Sequence, residues 1–168
     1  MLPDRAIGLR DATLADFAAV LALNHASVAL LSPLTVTELA KLHAMAVYHR
    51  VAVADGAVVA FLLALAPGAA YDSANYQWFC ARGVDFVYID RIVVAQDVRA
   101  MGLGRRLYGD LAAWAHQRGI ARLTCEYDLE PLNAGSQRFH AAFGFRQVGT
   151  QRVAGGTKLV SLQQLVLQ

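Results

Sequence analysis

The chain has 168 residues, of which 57% are hydrophobic and 17% charged, a balance that suits one domain over 1–168 with a substantial core and excludes a disordered chain. Its formal net charge of +2 and pI near 8.7 come without any block of Lys and Arg, so a nucleic acid is not an expected partner. The longest apolar run, Ala57 to Ala66, is about half of what a membrane span needs, and the start MLPDRAIGLR has no apolar signal core; no membrane partner and a cytoplasmic location are expected.

Taken in order, Ala6 to Arg10 is short enough for an edge strand. Thr13 and Asp16 then have the spacing of a capping box, and Phe17, Val20, Leu21 and Asn24 follow at helical spacing. Ser32-Pro33 breaks that helix. Thr35 and Glu38 repeat the start signal for a second helix through Leu39, Leu42, His43 and Val47. Between the helices lies a polar patch, Asn24-His25-Ala26-Ser27, which caps a helix end or faces a ligand.

His49 to Ala54 and Ala57 to Ala66 form a hairpin around Asp55-Gly56, and the second strand, apolar on both faces, belongs in the middle of a covered sheet. Pro67 to Asp85 is expected to be a long loop. Its aromatic stretch, Tyr71 to Phe79 with Asn75, is either a wall over a pocket or an anchor in which Trp78 and Phe79 hold the loop to the core or to a partner subunit. Cys80 in this loop and Cys125 in a later strand have no metal-ligand spacing, and no metal is expected.

Val87 to Ala95 is a buried strand with β-branched and aromatic residues. The next helix carries an apolar stripe of Leu103, Leu107, Leu111 and Trp114 and stops near Arg118-Gly119. Arg122 to Asp128 is a strand, and Asn133 to Ala142 a helix closed by Gly144. Phe145 to Val153 and Thr157 to Leu167 make a C-terminal hairpin through Ala154-Gly155-Gly156. The order β-α-α-β-β-β-α-β-α-β-β specifies a mixed α/β fold, with a sheet of about seven strands flanked by helices.

The strand at Val87 runs straight into Arg99-Ala100-Met101-Gly102-Leu103-Gly104 and a helix. Two glycines there permit a tight turn, and the open N–H groups of the helix start make an anion site. No Gly-Lys-Ser/Thr follows, and Leu107 stands where a dinucleotide fingerprint needs its third glycine.

This strand-turn-helix pattern resembles the pyrophosphate motif of the GNAT superfamily of acyl-CoA-dependent N-acyltransferases. Asn133-Ala-Gly-Ser136-Gln-Arg-Phe139-His140-Ala-Ala-Phe-Gly144-Phe145 is similar to the family's later Asn-x-x-Ser-x-x-Phe-Tyr-x-x-x-Gly-Phe segment. The two motifs cover roughly Val87 to Phe145. The resemblance implies the GNAT fold and acetyl-CoA as co-substrate, with its pyrophosphate on Arg99 to Gly104; Arg99, Arg105 and Arg106 offer charge for its oxygens and for a further phosphate. It implies that Ile92, Val93 and Val94 bond the pantetheine arm through their backbone, and that Asn133 and Ser136 contact the arm or the leaving sulfur.

It further implies transfer of an acetyl group to a primary amine of a small molecule or peptide, by direct attack in a ternary complex. Glu126 stands where family members acting on ribosomal-protein N-termini carry a glutamate base, and Asp90 is the other carboxylate placed to serve; a structural ion pair with Arg91 or Arg122 is the alternative for either. The family's acid tyrosine is replaced by His140, which is either a proton donor near neutral pH or a sulfur contact, or simply a packed or exposed ring, with Tyr127 as its substitute. Asn24 and Ser27, with Tyr71 and Asn75 of the aromatic stretch, are the candidate acceptor contacts. A non-catalytic acyl-CoA-binding or sensor domain is the alternative to an enzyme. Family habit and the apolar C-terminal strands make a homodimer an expectation.

Overall fold

The computed structural model describes residues 6–28 and 31–168. Most of the MLPDRAIGLR start's N-terminal side, residues 1–5, and two positions of the inter-helix segment, residues 29–30, lie outside the described residues. In chain order the elements are β1 (Ile7–Asp11), α1 (Phe17–His25), α2 (Val36–Met45), β2 (Tyr48–Ala54), β3 (Ala57–Leu65), α3 (Ala74–Cys80), β4 (Val87–Val94), α4 (Leu103–His116), β5 (Arg122–Glu130), α5 (Ala134–Phe143), β6 (Arg146–Val153) and β7 (Lys158–Val166). The strand order is β1-β2-β3-β4-β5-β7-β6 in a seven-stranded mixed sheet. Among the described residues no helix is long and apolar enough to cross a membrane.

The chain packs as two compact units, Met1–Leu65 with Asp90–Leu111 and Ala66–Ile89 with Ala112–Gln168. In the first, the β2–β3 hairpin turns where it was expected: Asp55 and Gly56 both take positive φ, 51° and 81°, the twist that a two-residue hairpin turn requires. β3 is buried without interruption from Val59 to Leu65, and α1 and α2 both pack on it. Both capping boxes form. Thr35 N donates to Glu38 Oε2 at 2.7 Å, and Thr13 N to Asp16 Oδ2 at 2.8 Å. Asp16 also receives both Nη atoms of Arg10, at 2.7 and 2.8 Å, and this guanidinium holds its carboxyl far below the usual carboxylate range.

In the second unit β7 lies between β5 and β6, antiparallel to both. The apolar pattern of the last strand is thus explained by burial inside the sheet rather than by an exposed edge, and β6, mostly exposed, is the edge. One element departs from expectation. The segment from Pro67 to Asp85 contains α3: the Ser73 hydroxyl accepts from Tyr76 N at 3.4 Å, and Tyr76 and Phe79, three residues apart, bury one face of the helix. Seven residues are too few for a helical period to stand out in a sequence, so tertiary burial decides the matter. Tyr76 then pins the preceding loop, with its hydroxyl donating to Ala66 O at 2.6 Å and accepting from Ala69 N at 2.9 Å.

Candidate active site

In the first unit, β4 ends where Ala95 N donates to Val59 O at 2.8 Å. A 3₁₀ turn, Gln96–Met101, follows, and Gly102 joins it to α4 in the left-handed region at φ 71° and ψ 18°. A Cβ at Gly102 would meet no atom within 4 Å, so glycine is needed here for its backbone freedom and not for space. Arg106 N donates to Gly102 O at 3.0 Å, and the N–H groups of Leu103 and Gly104 ahead of it are those that helix geometry leaves without an intrahelical carbonyl. They point, with the helix dipole, at the space over the turn. Arg99 and Arg105 are exposed beside it, Arg99 Nε resting on Val94 O at 3.2 Å, whereas Arg106 ties α4 to β1 through Ile7 O at 2.6 Å.

The parallel ladder described between β4 and β5 consists of Val87↔Leu123 and Tyr88↔Thr124. Ile92, Val93 and Val94 lie beyond it. A strand that runs on past its ladder presents backbone N–H and C=O groups that an extended ligand can pair with.

In the second unit, Tyr88 and Glu126 share one face of that parallel pair. The Tyr88 hydroxyl, buried at 1% exposure, sits 2.9 and 2.8 Å from the two carboxylate oxygens of Glu126, and its one proton is shared between them. Glu126 itself is half-buried. A half-buried carboxylate oriented in this way can accept a proton from a ligand.

Asp90 has a different setting. Its Oδ2 accepts from Arg91 Nε at 2.7 Å, with both side chains under 10% exposed (4% and 7%). Arg91 Nη1 donates in turn to Asn24 Oδ1 at 2.9 Å, and Asn24 Nδ2 donates to Ser32 O at 3.1 Å. Asp90 and Asn24 are therefore members of a buried network that holds α1 and the following segment to β4. The ion pair with Arg91 is the alternative named for Asp90, and Asn24, at 1% exposure, is held within the same network. Ser27 is half-buried one turn on, with its N–H on Asn24 O at 3.0 Å.

His140 is 5% exposed in α5. Its Nδ1 lies 2.7 Å from Ser136 O and 3.1 Å from Ser136 Oγ, its ring stacks on Tyr127 at 5.7 Å, and Phe139 and Phe145 present their edges to it. Burial lowers its pKa, against the opposing hydrogen bond to Ser136 O. Its surroundings are those of a packed ring.

Over residues 23–145 the chain matches the Acetyltransferase (GNAT) family. The chain belongs to this family. It is 35% identical over 100 residues to the aminoglycoside N(6')-acetyltransferase type 1 of Serratia marcescens, a match that spans 59% of this chain and 60% of that protein. Among solved structures it superposes on the ribosomal-protein-S18-alanine N-acetyltransferase from Escherichia coli with TM-score 0.75 at 17% identity, covering 97% of this chain and 95% of that one. It also superposes on yncA from Salmonella typhimurium, solved with its cofactor acetyl-CoA, with TM-score 0.72 at 21% identity and coverage of 97% and 95%. At these identities the two structures establish the fold.

Within this GNAT chain the other expected contacts fall as follows. Asn133 is the N-cap of α5, its Oδ1 accepting from Ser136 N at 3.1 Å, so both residues serve the helix start before any ligand. Asn75 accepts from Gln151 Nε2 at 3.1 Å, and Tyr71 packs on Tyr76 at 5.6 Å. Phe79 anchors the segment in the core, which is the alternative that the aromatic stretch offered. The residue that sequence reasoning missed is Tyr88. Its signal was present as a tyrosine at strand parity with a candidate base, but only the register Tyr88↔Thr124 shows which faces coincide. Among the described residues no group of three or more His, Cys, Asp or Glu could hold a metal ion.

Proposed function

We propose that this protein is an N-acetyltransferase, acting as one catalytic domain in the cytoplasm, that moves an acetyl group from acetyl-CoA to a primary amine of a small molecule or peptide. The observation that carries the reading is the course of β4: it leaves its ladder after Tyr88 and ends in a left-handed Gly102 at the open head of α4. Those features fit acetyl-CoA. The backbone at Arg99 to Gly104, with Arg99 and Arg105, would take the pyrophosphate, and the backbone of Ile92, Val93 and Val94 would pair with the pantetheine arm. Bound there, acetyl-CoA supplies a thioester carbonyl, which a β4 N–H would polarise.

The chain's own chemistry centres on Glu126. An amine arrives mostly as ammonium and must lose a proton before its nitrogen can attack; the Glu126 carboxylate takes that proton, and Tyr88 keeps both oxygens oriented. The new N–C bond forms as the C–S bond breaks, the nitrogen sheds its second proton to become an amide, and coenzyme A leaves as a thiolate that takes up that proton. His140 and Asp90 serve in this reading as packing and positioning residues. The name of the Serratia marcescens relative, an acetyltransferase for an aminoglycoside amine, supports an amine acceptor.

The buried His140 in place of the family's tyrosine favours one second reading, a domain that binds acyl-CoA without catalysing transfer. Calorimetry with acetyl-CoA and an amine screen for thiol release separate the two. Binding together with amine-dependent thiol release that Glu126→Gln abolishes is expected. Binding without turnover of any amine would favour the sensor, and absence of binding would overturn both.

A further inference from the structure

The second unit contains a cavity of about 430 Å³ that the acetyl-transfer chemistry leaves unused. Its apolar wall is made by Trp78 and Phe79 of α3 and by Phe86, just ahead of β4. Phe79 and Phe86 are part of the core. Trp78 is held by its neighbours: Phe79 meets it edge-on at 5.1 Å, and β6 passes it at Gly149, where a Cβ would come within 2.6 Å of the indole. Glycine at that point lets the ring lie against the strand, so the wall is formed before any ligand arrives.

The polar side of the cavity carries only positive charge. Arg82 and Arg122 line it, together with Thr124 and Gln164, and no carboxylate does. Arg82 lies over the Trp78 ring, 3.5 Å from its centroid, with one Nη donating to Trp78 O at 2.8 Å, which uses one of the five donors of its fork. None of the ion pairs among the described residues involves Arg82 or Arg122. Two guanidinium groups beside aromatic walls repel a cation such as the ammonium of an acceptor, and they attract an anion with a flat apolar body.

We propose that this cavity is a binding site for an aromatic carboxylate, whose ring packs against Trp78, Phe79 and Phe86 and whose carboxylate is bonded by Arg82 and Arg122. The site borders the Glu126 pair without including it: Thr124 stands two residues before Glu126 on the same face of β5, and the Phe79 ring lies 6.1 Å from that of Tyr88. Arginine suits the task because its planar fork meets both oxygens of a carboxylate at once.

The test uses the full chain carrying Trp114→Phe, which leaves Trp78 as the sole tryptophan of the two in the sequence. Phenylacetate is titrated by calorimetry and by Trp78 fluorescence, beside its methyl ester and phenethylamine. Saturable binding of phenylacetate is expected, with the ester and the amine at least roughly tenfold weaker, and with Arg122→Gln and Arg82→Gln each losing roughly tenfold in affinity. Thermal melts confirm that the variants stay folded. The proposal is overturned by absence of saturable binding at millimolar phenylacetate, by equal affinity for the ester, or by indifference to both arginine substitutions. Displacement of phenylacetate by coenzyme A would also overturn it, by assigning the cavity to the co-substrate. Because the readout is binding alone, its failure leaves the acetyltransferase reading untouched.

Discussion

Acid should destabilise this protein through one buried histidine. His49 of β2 is 7% exposed, lies 5.1 Å from the His43 ring and 6.1 Å from that of Phe61, and its Nδ1 is 2.8 Å from His43 Nδ1. That contact holds a single proton between two ring nitrogens. Nε2 of His49 is buried with no hydrogen-bond partner, so a second proton on the ring would place charge and an unmatched donor in the core. Burial first, and the charge of His43 second, lower the pKa of His49 from 6.5 to about 4, against a small opposing pull from Asp16.

The folded-state value lies below the unfolded one, so the unfolded chain binds the proton more readily between them. The stability due to neutral His49 is complete above about pH 6.5 and is lost as pH falls toward 4. At 1.36 kcal/mol per pH unit the whole interval amounts to roughly 3 kcal/mol, and the part between pH 6.5 and 5 to roughly 2 kcal/mol. Urea unfolding of wild type and of His49→Leu at half-unit steps of pH measures it. The substitution shifts all values by a constant packing cost, and the wild type should lose about 2 kcal/mol more than the variant across that range. Parallel curves for the two proteins from pH 6.5 to 5 would refute the reasoning.

Three further outcomes follow from the site and its supports. Glu126→Gln should lower kcat for amine acetylation by roughly a hundredfold or more, while Tyr88→Phe, which removes one hydrogen bond to a charged group, should cost about tenfold; steady-state kinetics with acetyl-CoA saturating gives both values. Gly102→Ala, forced into φ 71°, should cost about 1 kcal/mol in stability and weaken acetyl-CoA binding in calorimetry, since either the strain is borne or the turn shifts. Gly149→Ala should destabilise by about 1–3 kcal/mol in a thermal melt, because its Cβ would meet the Trp78 ring at 2.6 Å.

Much of the fold was legible because its causes lie within a few residues of each other. Asp55-Gly56 can turn a hairpin, Thr35 and Glu38 can close a capping box, and Gly102 can enter the left-handed region, whatever the rest of the chain does. α3 was not legible: its two buried residues make too short a period, and the helix exists because Tyr76 and Phe79 have a core to enter. The place of β7 between β5 and β6 was also hidden, since an apolar strand pattern does not say which neighbours bury it.

The candidate site divides along the same line. Sequence by itself determined the family's two motifs, the glycine turn at the head of α4, and the presence of carboxylates at Asp90 and Glu126 and of His140 where the family carries tyrosine. Only tertiary structure decided which partners each side chain has. Glu126 receives Tyr88 from 38 residues away, Asp90 joins Arg91, which in turn reaches Asn24 at a separation of 67, and His140 is closed in by Tyr127 and Phe145. A buried polar group must find its partner wherever the fold supplies one, and strand register, which no local stretch of sequence encodes, decides which partner that is.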